Sequence, residues 1–120
     1  MEVGEGVEEI MQQTVMFKRL LDEFSEEVRQ NAENHGCSNM TDERYIVLMH
    51  TELSEAIEAL RIGNPKSEKI PEFSLVEEEL ADVLIRVLDY AKVRGYNVGG
   101  AMIAKARYNL GRPHKHGKVW

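Results

Sequence analysis

Glu52-Leu53-Ser54-Glu55 and Glu79-Leu80-Ala81-Asp82 are two acidic phrases of the same spacing, each inside a strongly helical segment, with a Gly63-Asn64-Pro65 break between them. Residues three apart on a helix lie on nearly the same face, so each phrase aims two carboxylates in one direction. A short connection favours antiparallel packing of the two helices, and the two pairs can then converge. Facing carboxylates about 4 Å apart repel by roughly 4 kcal/mol at an effective dielectric near 20, a penalty that a divalent cation reverses. An oxygen-only donor set suits Mg²⁺, with Mn²⁺ as a substitute, and Mg²⁺ commonly arrives with phosphates. Glu52, Glu55, Glu79 and Asp82 are therefore the candidate metal ligands.

Position on the helix supports this reading. Glu52 and Glu55 continue a row that begins at Leu48, beside the apolar row Met49, Leu53, Ala56 and Leu60. Glu79, Asp82, Arg86 and Asp89 form a row beside Val76, Leu80, Val83 and Val87. The acids stand on the shoulder of each apolar stripe, whereas a solvating face would lie opposite it. A single Glu-x-x-Glu on an exposed helix costs only a few tenths of a kcal/mol and means little, so the pairing of two phrases carries the argument. Di-iron bundles require a histidine three residues after a glutamate. None follows Glu52 or Glu79, and His50 points elsewhere on its helix.

The rest of the chain reads as helices. Ile10, Thr14, Phe17, Leu21, Phe24 and Val28 draw one stripe along a long first helix over 7–35, ended by Asn34-His35-Gly36. Thr41 caps a second helix over 41–62, with Ile46, Met49, Leu53, Ala56, Ile57 and Leu60 as its core stripe and Gly63 and Pro65 as its stop. Ser74-Leu75-Val76-Glu77 is a capping box that opens a third helix over 74–94. Its buried face is expected to carry Val76, Leu80, Val83, Leu84, Val87, Leu88 and Ala91. Asn97 caps a short fourth helix over 97–110, and a basic tail follows over 111–120. No segment alternates apolar and polar residues, so no sheet is expected. The expectation is a single all-α domain, a bundle around an antiparallel central helix pair. The first stripe exceeds what so small a domain covers by itself, which hints at a partner subunit.

Composition bounds the function. The chain has 120 residues, one cysteine and a net charge of -6, which argues against duplex nucleic acid as a partner. No apolar run approaches the ~20 residues that span a bilayer. The acidic N-terminus is unlike a signal peptide and Cys37 has no internal partner, so the cytoplasm is the expected compartment. All 21 acids precede residue 100, while 100–120 carries Lys105, Arg107, Arg112, Lys115 and Lys118. An acidic centre with a basic tail suits an anionic ligand that brings metal ions. Lys105 and Asn109 share a helix face and Arg112 follows just beyond, a point charge and a two-pronged clamp for phosphate.

Glu-x-x-Glu, a gap of about two dozen residues, then Glu-x-x-Asp within Glu78–Asp89 resembles the MazG-like all-α nucleoside triphosphate pyrophosphohydrolases. Lys105-Ala106-Arg107-Tyr108-Asn109, Arg112-Pro113 and His116-Gly117-Lys118 are similar to the closing segment of small MazG-like proteins, and the likeness covers about 40–120. It implies a four- to five-helix bundle completed as a homodimer or homotetramer. It also implies Mg²⁺-dependent hydrolysis of a (deoxy)nucleoside triphosphate to monophosphate and pyrophosphate, as in cleansing of a nucleotide pool. By the same resemblance Glu52, Glu55, Glu79 and Asp82 hold metal, Glu55 and Glu52 are catalytic, and Lys105, Asn109, Arg112, His116 and Lys118 hold substrate. Glu58 and Glu78 are accessory acids. Two rival expectations stand beside it. One is a catalytically silent helical module that binds nucleotide or protein, and the other is a pyrophosphohydrolase of a nucleotide-linked metabolite such as phosphoribosyl-ATP. His114 reads either as a phosphate contact or as a solvent-exposed side chain, Trp120 either as a stacking partner for a base or as an anchor for the terminus, and Cys37 as a buried or idle thiol.

Overall fold

Three polar side chains fix where three of the helices begin. In the computed structural model, which describes residues 2–37 and 39–114, the Thr41 hydroxyl accepts from Arg44 N and the Asn97 amide oxygen accepts from Gly100 N. Ser74 closes a complete capping box: its hydroxyl accepts from Glu77 N at 3.2 Å while the Glu77 carboxylate accepts from Ser74 N at 3.1 Å. These contacts satisfy backbone donors that a helix start leaves unpaired. The helices they open are α2 (Asp42–Arg61), α3 (Leu75–Arg94) and α4 (Val98–Leu110), preceded by α1 (Glu2–Asn34). No strand occurs among the described residues; one isolated bridge joins Lys66 to Ser74. The chain is all-helical, and no helix among the described residues is long and apolar enough to cross a membrane.

The contacts fall into two compact units, one of residues 25–95 and one of residues 1–24 with 96–120. In the first, α2 and α3 form the principal packed pair. Arg94 near the end of α3 binds Asp42 at the start of α2, and Leu75 N at the opposite end donates to Pro65 O, so the pair is antiparallel as expected. Arg94 also donates to Asn39 and to Met40 O, and it stacks over the rings of Tyr45 and Tyr90 at 5.6 and 5.7 Å. Gly95 then ends α3 at φ 72°, a left-handed conformation that costs any residue with a Cβ. The last turns of α1 are tied to the pair by buried Arg29, which donates to Asp89 at 2.8 Å and to Cys37 O.

In the other unit, Gly99 of α4 sits so close to α1 that a Cβ there would meet Leu21 Cδ2 at 3.1 Å. Arg107 donates to Thr14 across the same pair of helices. Helix α1 starts at Glu2, five residues before the expected start at residue 7, and runs through Gly4 and Gly6. Each glycine costs a helix up to about 1 kcal/mol, while Glu5 and Glu8 favour the positive end of its dipole.

The largest departure from the sequence reading lies in what α2 and α3 bury. Of the expected core stripes, Ala56, Leu88 and Ala91 are buried and Met49, Val76, Val83 and Val87 are half-buried. Ile46, Leu53, Ile57, Leu60, Leu80 and Leu84 are exposed, Ile57 to 70% and Leu84 to 60%. Along α1, Ile10, Phe17 and Phe24 are likewise exposed. The buried side chains of the pair are Tyr45, Ala56, Ala59, Leu88 and Ala91, together with Glu52, Glu78 and Glu79. Three of the five buried apolar side chains are alanines, and three acids are buried with them. The leucine edge turns outward.

Candidate metal centre

Antiparallel packing brings the two phrases together. Carboxylate oxygens of Glu52, Glu55 and Glu79 lie within 4.8 Å of one another, and those of Glu78, Glu79 and Asp82 form a second such group. Glu79 belongs to both. Glu52, Glu78 and Glu79 are only 6–8% exposed, Asp82 is half-buried, and Glu55 is exposed at the open edge.

Three buried acids this close need compensation, and the structure supplies part of it. Arg86 Nε donates to Glu52 Oε1 at 2.8 Å. Burial raises the pKa of Glu52, but the hydrogen bond and charge of Arg86 and further hydrogen bonding to Glu55 and Glu79 bring it below the usual carboxylate value. Ser67, only 1% exposed, donates its hydroxyl to Glu78 Oε1 at 2.7 Å and accepts from Lys69 N and Ile70 N. This ties the α2–α3 loop directly to the acidic cluster.

Glu79 receives no such help. Its Oε2 is buried and meets no hydrogen-bond donor. Burial first, then hydrogen bonding and repulsion with Glu55, Glu78 and Glu52, push it up to about 8. Asp82 is raised by burial and by the charges of Glu52 and Glu78, against smaller opposing pulls from Lys69 and Arg86. Glu79 is shared by the two groups of oxygens and its Oε2 has no donor, so the cluster could hold a hard divalent cation. The donor set fits Mg²⁺ or Mn²⁺.

The remaining predicted residues fall elsewhere. Glu58 is exposed and paired to Arg61 within α2, outside both carboxylate groups. Glu78 is integral to the cluster. Lys105, Asn109 and Arg112 belong to the other unit, where Lys105 and Arg112 lie over the Tyr108 ring at 4.6 and 5.9 Å. The Asn109 carbonyl oxygen is buried with no donor. His116, Lys118 and Trp120 lie outside the described residues. His50, His114 and the Cys37 thiol are exposed. The sequence reading missed Ser67 altogether. It placed Arg86 in the acidic row without giving it a role, although a cation one turn after Asp82 was a readable signal.

Comparison with known protein families, curated proteins and solved structures finds no match to this chain.

Proposed function

We propose that the chain is a Mg²⁺-dependent pyrophosphohydrolase of nucleoside triphosphates, built on the MazG-like plan that its acidic phrases and closing segment resemble. The observation that carries this reading is the convergence of Glu52, Glu55 and Glu79 within 4.8 Å, with the Glu79 oxygen left without a donor. Glu52, Glu55, Glu79 and Asp82 would hold cation, and Glu78 joins the second group of oxygens. When bound, divalent cation neutralises phosphate oxygens and lowers the pKa of coordinated water. Glu55, at the open edge, is placed to accept the proton of the attacking water. The water oxygen bonds to phosphorus, the α–β bridging P–O bond breaks, and the products are nucleoside monophosphate and pyrophosphate. Arg86 and Ser67 keep Glu52 and Glu78 fixed while this happens. The resemblance gives Lys105, Asn109 and Arg112, with His116 and Lys118 of the closing segment, as residues that hold the triphosphate.

The same proposal includes self-association as a homodimer or homotetramer. Ile46, Leu53, Ile57, Leu60, Leu80 and Leu84 on α2 and α3 are exposed, and exposed apolar side chains grouped on one edge mark association surfaces. A second copy with the same edge is its natural cover.

The test is release of pyrophosphate from a panel of nucleoside triphosphates with Mg²⁺, for the native chain and Glu55→Gln. Pyrophosphate from the native chain and a loss of at least about a hundredfold in the variant are expected, the usual scale of general-base removal. Orthophosphate as product would mean a different bond is cut. Nucleotide binding without either product would favour the silent binding module, and preference for phosphoribosyl-ATP in competition would name the other substrate class.

A further inference from the structure

Arg86 is a cation in a row of acids. On α3 it follows Asp82 by four residues and precedes Asp89 by three, so all three face the same way. Its Nε is committed to Glu52 across the helix pair at 2.8 Å. The guanidinium reaches Glu52 through Nε, its charge also acts on Asp82 and Asp89, and its side chain is 37% exposed. A guanidinium is a rigid planar fork with five N–H donors. Fixing Nε by a buried carboxylate therefore fixes the direction in which the two Nη groups point. Lys69, on the loop held by Ser67, also acts on Asp82, so positive charge reaches the acidic centre from the loop as well as the helix.

We propose that Arg86 is a phosphate-binding residue of this site: Glu52 orients it through Nε, and its Nη groups clamp the pyrophosphate portion of the substrate. The inference rests on the functional reading above and adds to it a cation from the same unit as the carboxylates. If charge alone mattered, lysine at this position would be an adequate replacement. A fork held at one nitrogen and presenting the other two would not be replaced by lysine, which has a single point of charge and cannot hold Glu52 and grip two phosphate oxygens at once.

Binding of inorganic pyrophosphate in the presence of Mg²⁺, read by calorimetry, tests this without any turnover. Native chain, Arg86→Gln and Arg86→Lys are compared, with Mn²⁺ affinity and thermal melting measured on each. At saturating Mn²⁺, loss of roughly 10- to 100-fold in pyrophosphate affinity is expected for the glutamine variant and only partial recovery for lysine, over and above any fall in Mn²⁺ affinity from loosening Glu52. For nucleotide hydrolysis the same factor should appear in KM and much less in kcat. If Arg86 only braces Glu52, Mn²⁺ affinity and melting temperature fall while the pyrophosphate affinity of the metal-saturated variant stays native; that result overturns the inference. So does absence of pyrophosphate binding to the native chain. Native pyrophosphate binding that the variants lose, without hydrolysis of any triphosphate, supports Arg86 as the clamp and removes the enzymatic reading. Hydrolysis with native pyrophosphate affinity in Arg86→Gln does the reverse.

Discussion

Replacing Glu79 by glutamine should make the protein more stable without divalent cation and less responsive to it. The Glu79 carboxyl, raised from 4.5 to about 8, keeps its proton in the folded chain over a range where the unfolded chain has lost it. Fewer protons on the unfolded state mean that stability falls as pH climbs from about 4.5 to about 8. The slope is at most ~1.4 kcal/mol per pH unit, which sets a ceiling of about 3 kcal/mol at neutral pH. Rotation of exposed Glu55 away from the cluster relieves part of this, so about 1–2 kcal/mol is the expected gain for Glu79→Gln, whose amide can donate where the proton did. That corresponds to roughly 3–6 °C in melting temperature per kcal/mol for a chain of this size. Mg²⁺ at a hundredfold excess over its Kd should stabilise the native chain by ~2.7 kcal/mol and the variant by far less. Thermal or urea unfolding at constant protein concentration, across this pH range and with and without Mg²⁺, reads all of these effects. A glutamine variant that melts below the native chain at neutral pH without Mg²⁺, or gains as much from Mg²⁺, would refute the idea that Glu79 is a strained cation ligand.

Ser67→Ala leaves the Glu78 carboxylate and the amides of Lys69 and Ile70 without a buried partner, and should cost about 1–3 kcal/mol in urea unfolding; an unchanged midpoint would show that the loop is held by other means. Arg29→Ala strands Asp89 in a largely buried setting and removes the donor to Cys37 O, with an expected loss of about 3–5 kcal/mol. Helicity that survives heating as well as in the native chain would contradict that. Leu84→Glu places a charge on the outward apolar edge and should shift sedimentation toward the monomer while Mn²⁺ binding persists, whereas a native chain that is monomeric at high concentration removes the premise.

The helix starts at Thr41, Ser74 and Asn97 were legible because capping is local chemistry, decided by a few adjacent residues. The convergence of the two acidic phrases was legible for a related reason: spacing fixes direction on a helix, and the short loop restricts how the helices meet. Burial was not legible. Periodicity reports that Leu53, Ile57, Leu60 and Leu84 form apolar edges, but not whether the surface that covers an edge belongs to the same chain. Ala56, Ala59 and Ala91 are buried instead, and small residues give little signal in a hydrophobic pattern. Ser67 was invisible because its partner, Glu78, is eleven residues away and the contact exists only once the loop has closed.

The base of that loop is laced shut by Leu75 N to Pro65 O, Val76 N to the Asn64 side chain, Ser67 N to Phe73 O, and Lys69 N and Ile70 N to Ser67 Oγ, while Pro71 and Glu72 stand exposed at its tip. Length added at the tip need not propagate to the helices, because the seam decouples the two. A chain carrying a short glycine-serine insert between Pro71 and Glu72, clear of the Lys69 and Ile70 amides that Ser67 holds, should keep its carboxylate cluster in register, which makes that tip the natural place to graft a fluorophore or an affinity handle.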